Sequence, residues 1–121
     1  MSIAIALKWP PTANTYWRRR GNRYFISKDG MDYRQATIFH CHKHRNAFTD
    51  KQRLRVVIDA FPPDKRRRDL DNICKCLLDS LQHAKVYEDD SQIDELIIRR
   101  RHSGFGEVLV TIEEISVQPV E

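Results

Sequence analysis

Two aspartates separated by one residue, with a lysine four residues after the second, form the most chemically suggestive pattern in this chain. Asp69 and Asp71 follow a run of four basic residues, and Lys75 follows them. Carboxylates at a helix start cap free N–H groups and are favoured by the helix dipole. An Asp–Lys pair spaced i, i+4 on a helix surface contributes only about 0.3–0.5 kcal/mol. Taken alone, the pattern favours helix capping and a surface ion pair.

A second acidic group, Glu88-Asp89-Asp90, follows the helix predicted after Asp69 through a short connection. A chain that returns past a helix end can bring one of these carboxylates back to the first two. Clusters of oxygen ligands suit Mg²⁺ or Mn²⁺, which leave open positions for phosphate oxygens. Such ions activate water and neutralise phosphate, and a nearby lysine adds positive charge. Convergence would therefore indicate phosphoryl chemistry, although spacing alone leaves separate, solvated acids equally open.

Basic residues are grouped along the chain. Twenty-one Lys and Arg against seventeen Asp and Glu give a net charge of +4. The excess lies in three clusters: Arg18, Arg19, Arg20, Arg23 and Lys28; Lys65, Arg66, Arg67 and Arg68; and Arg99, Arg100 and Arg101. Charge sorted in this way is typical of proteins that bind a polyanion, whereas each run taken singly is also compatible with a solvated face.

The elements that must position these residues are visible in the hydrophobic pattern. The chain of 121 residues, 1–121, has the length of one domain. Alternation and turn residues predict strands at 2–8, 23–26, 52–61, 93–101 and 108–115, with a hairpin-like turn at 104–106 before the last. Helical periodicity predicts one helix from Ser27 to about 47 and another from Asp69 to about 83. The polar, basic segment 12–22 is predicted to be a mobile loop.

The cysteines and histidines do not form a recognisable metal motif. Three cysteines without disulfide spacing predict free thiols in a reducing compartment. The segment His40-Cys41-His42-Lys43-His44 suggests zinc. However, the i, i+2 pairs point apart, and a paired Cys-x-x-Cys is missing from the sequence, so we expect no zinc. We also expect no membrane association, because no apolar run approaches the roughly 20 residues that a spanning helix needs.

The motifs together resemble one known family. The run 64–72, Lys75 and the segment 86–93 resemble the signature of the RusA family of Holliday-junction resolvases, and further similarity lies at Trp9-Pro10-Pro11, Asn14, Ser27, Gly30 and Tyr33-Arg34. The resemblance covers nearly the whole chain. It implies a small α+β homodimer, with two main helices packed on a mixed β-sheet. It also implies a bacterial or prophage-encoded protein of the cytoplasm that cuts opposed strands of four-way DNA junctions by Mg²⁺-dependent hydrolysis, with Mn²⁺ as a substitute, in recombination and repair.

The resemblance also assigns roles to residues. It implies that Asp69, Asp71 and Asp90 are catalytic, metal-binding carboxylates and that Lys75 supports the attacking water or the transition state. Asp89 adjoins Asp90, and we favour Asp90 as the ligand with Asp89 in support. Lys85 stands where family members often have a glycine after the helix, which puts a left-handed cap there in doubt.

The basic residues complete the expected DNA surface. We expect phosphate contacts, which do not read sequence, from Arg18, Arg19, Arg20, Lys65, Arg66, Arg67 and Arg68. Two other functions share these surfaces: a Mg²⁺-dependent nuclease for other branched DNA, and a junction-binding protein without catalysis. The acids argue against the second, because a carboxylate within a phosphate-binding surface repels the ligand unless a cation intervenes.

Overall fold

A four-stranded mixed sheet is the largest element of the protein, whose computed structural model describes residues 1–116. The strands are β1 Ser2–Lys8, β2 Trp17–Arg20, β3 Arg23–Ile26, β4 Arg53–Phe61, β5 Ile93–Arg100 and β6 Glu107–Ile115. The main sheet has the order β1-β6-β4-β5, in which only β4 and β5 are parallel. Strands β2 and β3 form a separate antiparallel pair. The predicted α+β class with a mixed sheet is confirmed.

Alternating apolar residues build the core on one face of the main sheet. Leu54, Val56 and Ile58 of β4 are fully buried, and the same alternation in β1 and β6 places their apolar residues beside them. The helices are α1 Ala13–Tyr16, α2 Lys28–His40 and α3 Cys74–His83. Leu77 and Leu81 of α3 are buried in the same core. The covered sheet face therefore fixes the position of α3, which carries Lys75.

Helix α2 begins where the sequence predicts but ends earlier. The Ser27 hydroxyl accepts a hydrogen bond from the Gly30 N–H at 3.0 Å, which confirms the N-cap. The helix stops at His40 rather than near residue 47, and a 3-10 turn follows at His42–His44. Asn46 then adopts a left-handed φ of 60° and donates its N–H to the Lys85 carbonyl at 2.6 Å. This turn directs the chain into β4 and ends the helical path.

The segment 12–22 is ordered into secondary structure, so the prediction of a mobile loop is wrong. Thr12 caps α1 through its hydroxyl, which accepts from the Thr15 N–H at 3.3 Å. Strand β2 then pairs with β3 around a turn in which Gly21 has φ 61°. Burial of Tyr16, whose exposure is 0%, ties the segment to the body of the protein. The sequence pattern missed this anchor because only one large residue of α1 is buried.

The order of strands in the main sheet also differs from expectation. The predicted hairpin between β5 and β6 is wrong, since β5 pairs with β4 and β6 lies between β1 and β4. Val108, Val110 and Ile112 are fully buried, as a central strand requires, whereas β5 is mostly exposed and lies at the sheet edge. The connection 101–106 therefore crosses the end of β4 and meets the loop that leads to Asp69.

A buried ionic network joins the three helices. The Arg34 guanidinium donates to an Asp79 carboxylate oxygen at 2.7 Å and to the Tyr16 hydroxyl oxygen at 3.0 Å, and Tyr16 donates to the same carboxylate. Burial raises the pKa of Asp79, but the hydrogen bonds from Tyr16 and Arg34 and the charge of Arg34 outweigh it, so that pKa is lowered. The network holds α3 against α1 and α2.

Cys41, Cys74 and Cys76 are free thiols, as predicted. Within residues 1–116, none of the helices has the length and apolar character needed to cross a membrane.

Candidate active site

The loop between β4 and α3 is organised by one carboxylate. Asp64 accepts a hydrogen bond from the Arg68 guanidinium at 2.6 Å and from the Arg66 N–H at 2.9 Å, and these bonds lower the pKa of Asp64 to about 2. The Arg68 guanidinium also lies over the Trp9 ring, 5.9 Å from its centroid. Arg68 therefore shapes the loop as a paired cation, whereas Lys65, Arg66 and Arg67 present exposed side chains.

Asp69 and Asp71 lie on the exposed surface directly after this basic loop. A 3-10 turn, Leu70–Ile73, precedes α3, so the α-helix begins at Cys74 and not at Asp69 as predicted. Asp69 occupies the N-cap position of the turn but makes no side-chain cap hydrogen bond. The capping interpretation of Asp69 is therefore wrong, and its carboxylate oxygens remain available for another ligand.

A cavity of about 260 Å³ opens beside Asp69. The residues that line it come from the β1–α1 connection, the basic loop and the 3-10 turn: Trp9, Thr12, Arg67, Arg68, Asp69, Asn72 and Ile73. Sequence reasoning did not place Thr12 or Ile73 at the site. The Trp9-Pro10-Pro11 motif was the available signal, because the chain leaves β1 there and passes over the loop. The cavity thus combines a carboxylate with two guanidinium groups.

Lys75 lies in the first turn of α3 with its side chain exposed. Within the described residues 1–116, Asp71 and Lys75 do not form a salt bridge with each other. The local geometry explains this, because Asp71 lies in a 3-10 turn of three residues per turn and the i, i+4 relation of an α-helix does not hold across the junction. The surface ion pair considered for these residues is therefore not formed.

The two adjacent acids at 89 and 90 have different surroundings. Asp89 accepts a hydrogen bond from the Ser91 N–H at 3.0 Å and forms a capping box with Gln92 at the 3-10 turn Asp90–Gln92. The hydrogen bonds from Ser91 lower the pKa of Asp89. Asp90 is half-buried, and one of its carboxylate oxygens lies 2.7 Å from the Tyr87 hydroxyl. Asp89 is therefore occupied in a structural cap, which favours Asp90 as the functional member of the pair.

Asp90 is anchored on the later part of α3. Its N–H donates to the Gln82 side-chain oxygen at 3.0 Å, and Tyr87 also lies 2.8 Å from the Leu78 carbonyl oxygen. Asp69 and Asp71 lie before the other end of the same helix. Among the described residues, no three acidic, histidine or cysteine side chains are grouped closely enough to hold a metal ion. The convergence of Asp69, Asp71 and Asp90 remains a prediction.

The hairpin of β2 and β3 carries the other predicted basic residues. Arg18, Arg19 and Arg20 are exposed on β2, one turn of helix after the Thr12 that lines the cavity. The Arg19 guanidinium donates to the Gly21 carbonyl oxygen at 2.7 Å and lies over the Tyr24 ring, 5.7 Å from its centroid. The strand pairing gives these cations a fixed backbone.

Comparison with known proteins agrees with the resemblance seen in the sequence. Residues 8–113 match the family described as Endodeoxyribonuclease RusA. The chain is 49% identical over 112 residues to a crossover junction endodeoxyribonuclease of Enterobacteria phage HK97, covering 92% of this chain and 93% of the relative. It is 34% identical over 120 residues to the crossover junction endodeoxyribonuclease of Escherichia coli K12, covering 94% and 96%. This chain, in which Asp69, Asp71 and the basic loop precede the start of α3, belongs to the RusA family of endodeoxyribonucleases.

Proposed function

We propose that this chain is a crossover junction endodeoxyribonuclease, which hydrolyses phosphodiester bonds in opposed strands of a four-way (Holliday) junction during recombination and repair. The relatives that carry this name match more than nine-tenths of the chain. The observation that carries the proposal is the cavity in which Asp69 meets Arg67 and Arg68. A phosphate that enters it meets positive charge beside an exposed carboxylate.

The carboxylates fit a hard divalent cation. Mg²⁺ is usually held by one or two protein carboxylates together with waters and substrate phosphate, rather than by a complete protein cage. Asp69 and Asp71 are exposed, and Asp69 makes no capping bond. We therefore propose that Asp69 and Asp71 hold the metal, and we keep Asp90 as the third ligand on the family resemblance alone. The ion, Mg²⁺ or Mn²⁺, supplies an activated water and neutralises phosphate charge when bound.

The protein's own residues orient and stabilise the substrate. Lys75 places an exposed positive charge near the start of α3, where it stabilises negative charge on the phosphate in the transition state. The exposed basic side chains contact DNA phosphates and hold the DNA backbone without reading its sequence. These residues are Arg18, Arg19, Arg20, Lys65, Arg66 and Arg67. Arg68 contributes by keeping the loop in shape.

A homodimer suits this substrate. Four DNA arms create an approximately two-fold junction, and a two-fold protein presents two equivalent sites to it. We propose that the domain of residues 1–121 acts as one half of such a pair. Paired cuts then need both protomers, and one protomer alone does not resolve a junction.

The test replaces Asp71 with Asn, which removes charge while keeping size, and uses Asp50→Asn, an exposed acid in another loop, as the matched control. Each protein is incubated with labelled four-way junction, fork and linear duplex, with Mg²⁺ and with EDTA. We expect the wild type and D50N to make paired, ligatable nicks in junctions with Mg²⁺ only. We expect D71N to bind junctions without cutting them.

Four results would contradict the proposal. Cleavage by D71N at the wild-type rate would remove Asp71 from the site. Junction cleavage that persists in EDTA would remove the metal. Equal cutting of forks without symmetric junction nicks would indicate a nuclease for other branched DNA, and binding without any cutting by the wild type would indicate a junction-binding protein.

A further inference from the structure

Three aromatic side chains form a cluster at the end of β4, in which Phe61 is half-buried and His102 and Phe105 are exposed. Phe61 ends the strand, and His102 and Phe105 lie in the connection between β5 and β6. The ring centroids are separated by 5.4 Å for Phe61–His102, 6.1 Å for Phe61–Phe105 and 5.3 Å for His102–Phe105, in edge-to-face arrangements. Phe105 is 63% exposed. A contiguous exposed aromatic cluster is a candidate binding surface, whereas apolar side chains scattered singly on a surface are ordinary.

The cluster is held in place by backbone contacts. The Gly104 N–H donates to the Pro62 carbonyl at 2.8 Å, and the Gly106 carbonyl accepts from the Trp9 N–H at 2.8 Å. Gly106 has φ 65°, and a Cβ there would lie 3.2 Å from the Pro63 Cβ, so close packing of the two loops requires glycine. The exposed rings therefore sit on an ordered turn, which reduces the entropy lost when a ligand binds.

The same turn is joined to the candidate active site. The Arg100 guanidinium donates to the Arg68 carbonyl oxygen at 2.7 Å, directly before Asp69. Trp9, whose N–H donates to the Gly106 carbonyl of this turn, also lines the cavity beside Asp69. Two hydrogen bonds thus link the segment 100–106, which carries His102 and Phe105, to the basic loop before Asp69 and to Trp9 beside the cavity.

We propose that the cluster of Phe61, His102 and Phe105 is a stacking site for an unpaired nucleobase at the branch point of the DNA. The inference rests on the proposed function, because it requires branched DNA at Asp69. Every base has a flat face that stacks on aromatic rings independently of sequence. The Glu107 carboxylate lies on the rim of the cluster and repels phosphate, so the surface favours the neutral face of a base. The exposed Arg100, which bonds the Arg68 carbonyl, supplies a positive charge for the backbone of the same strand in the segment that links the cluster to the loop before Asp69.

The experiment compares Phe105→Ala with Phe105→Trp, which keeps an aromatic face, and with Phe39→Ala. Phe39, at 79% exposure, is a similarly open phenylalanine on α2 and provides the matched control. Binding to a four-way junction and to a linear duplex of equal length is measured with Ca²⁺ in place of Mg²⁺. A second junction carries 2-aminopurine at the branch point, because stacking quenches its fluorescence. Molar mass by light scattering and thermal melting are recorded for each variant.

We expect F105A to bind the junction about 5- to 150-fold more weakly, the range for losing one base–aromatic stack. Its duplex affinity should stay within about twofold of wild type, and the 2-aminopurine quenching should disappear. F105W should keep both properties, and F39A should match the wild type. These results with unchanged mass and melting temperature would support the stacking site.

The inference fails separately from the proposed function. If wild-type protein cuts junctions with Mg²⁺ while F105A binds and quenches normally, the stacking site is wrong and the nuclease assignment stands. A lower molar mass for F105A would show that the cluster covers a second copy of the chain and would also overturn the inference. If the wild type neither cuts nor prefers junctions, the proposed function fails first and the stacking site fails with it.

Discussion

Replacing Asp79 with Asn should expose how strongly the network of Tyr16, Arg34 and Asp79 supports the helices that carry the site. The side chains of Arg34 and Asp79 are 12% and 20% exposed, so D79N leaves a mostly buried guanidinium without its counter-charge. Breaking a fully buried pair costs about 3–5 kcal/mol, and the partial exposure reduces this to about 2–4 kcal/mol. We expect D79N to lower the free energy of unfolding by that amount.

The size of the domain determines how far this loss of free energy lowers the melting temperature. Unfolding entropy near 2.1 cal/mol/K per residue means that about 1 kcal/mol corresponds to about 4 °C for a chain of 121 residues. We therefore expect a decrease of about 8–16 °C by calorimetry at pH 7. Tyr16→Phe, which removes one hydrogen bond and no charge, should lower it by about 4 °C. Asp32→Asn, which breaks only an exposed i, i+4 pair with Lys28, should lower it by less than about 2 °C.

The difference in stability between wild type and D79N depends on pH with a definite sign. The folded-state pKa of Asp79 is lower than the ordinary value of 3.8, so the ionised carboxylate stabilises the fold above that value. This stabilisation is lost as pH falls through the folded-state pKa. The difference in melting temperature between wild type and D79N should stay constant from pH 7 to pH 5 and narrow below about pH 4. A melting temperature within 2 °C of wild type at pH 7, or a gap that persists unchanged to pH 3, would refute this reasoning.

Two further predictions concern the connection that follows α3. Lys85 has φ 62°, and Lys85→Gly should relieve left-handed strain of about 1–2 kcal/mol, partly offset by backbone entropy, and raise the melting temperature by about 2–4 °C. Lys85→Ala keeps the strain and should show no such gain; equal melting of the two variants would contradict the idea. Tyr87→Phe removes the hydrogen bond to Asp90 and should slow junction cleavage about 3- to 10-fold while leaving junction affinity in Ca²⁺ unchanged. Tyr24→Phe is its exposed control, and an unaltered cleavage rate in Y87F would show that Tyr87 does not position Asp90 for catalysis.

Local patterns predicted the elements that depend on burial. The alternation in 52–61 and 108–115 matches β4 and β6 because each strand buries one face, and Ser27 begins α2 because its hydroxyl caps the Gly30 N–H. Family resemblance was confirmed by the comparisons. These features could be predicted from the sequence because each sequence pattern and its physical cause lie within a few residues of each other.

The remaining features depend on contacts between distant parts of the chain. Insertion of β6 between β1 and β4 is a choice among pairings that alternation cannot distinguish. The helix of residues 13–16 is held by Tyr16, whose partners lie on α2 and α3. The left-handed cap at Lys85 was in doubt from sequence. It is formed with lysine, at φ 62°, and the Lys85 carbonyl accepts from the distant Asn46 N–H. The meeting of Asp69, Asp71 and Asp90 likewise requires contacts between segments that α3 separates along the chain, and it stays a prediction.

The exposed edge strand β5 has a consequence for how the protein behaves at high concentration. An open edge offers unpaired N–H and C=O groups to strands of other molecules, which is a common route to aggregation. Along β5 the side chains of Asp94, Glu95 and Arg99 are held in ion pairs with Arg53, Arg55 and Asp59 of β4. A foreign strand would have to desolvate these anchored charges as it docked. The ion-paired charges that join β5 to β4 therefore also disfavour edge-to-edge association between molecules of the protein.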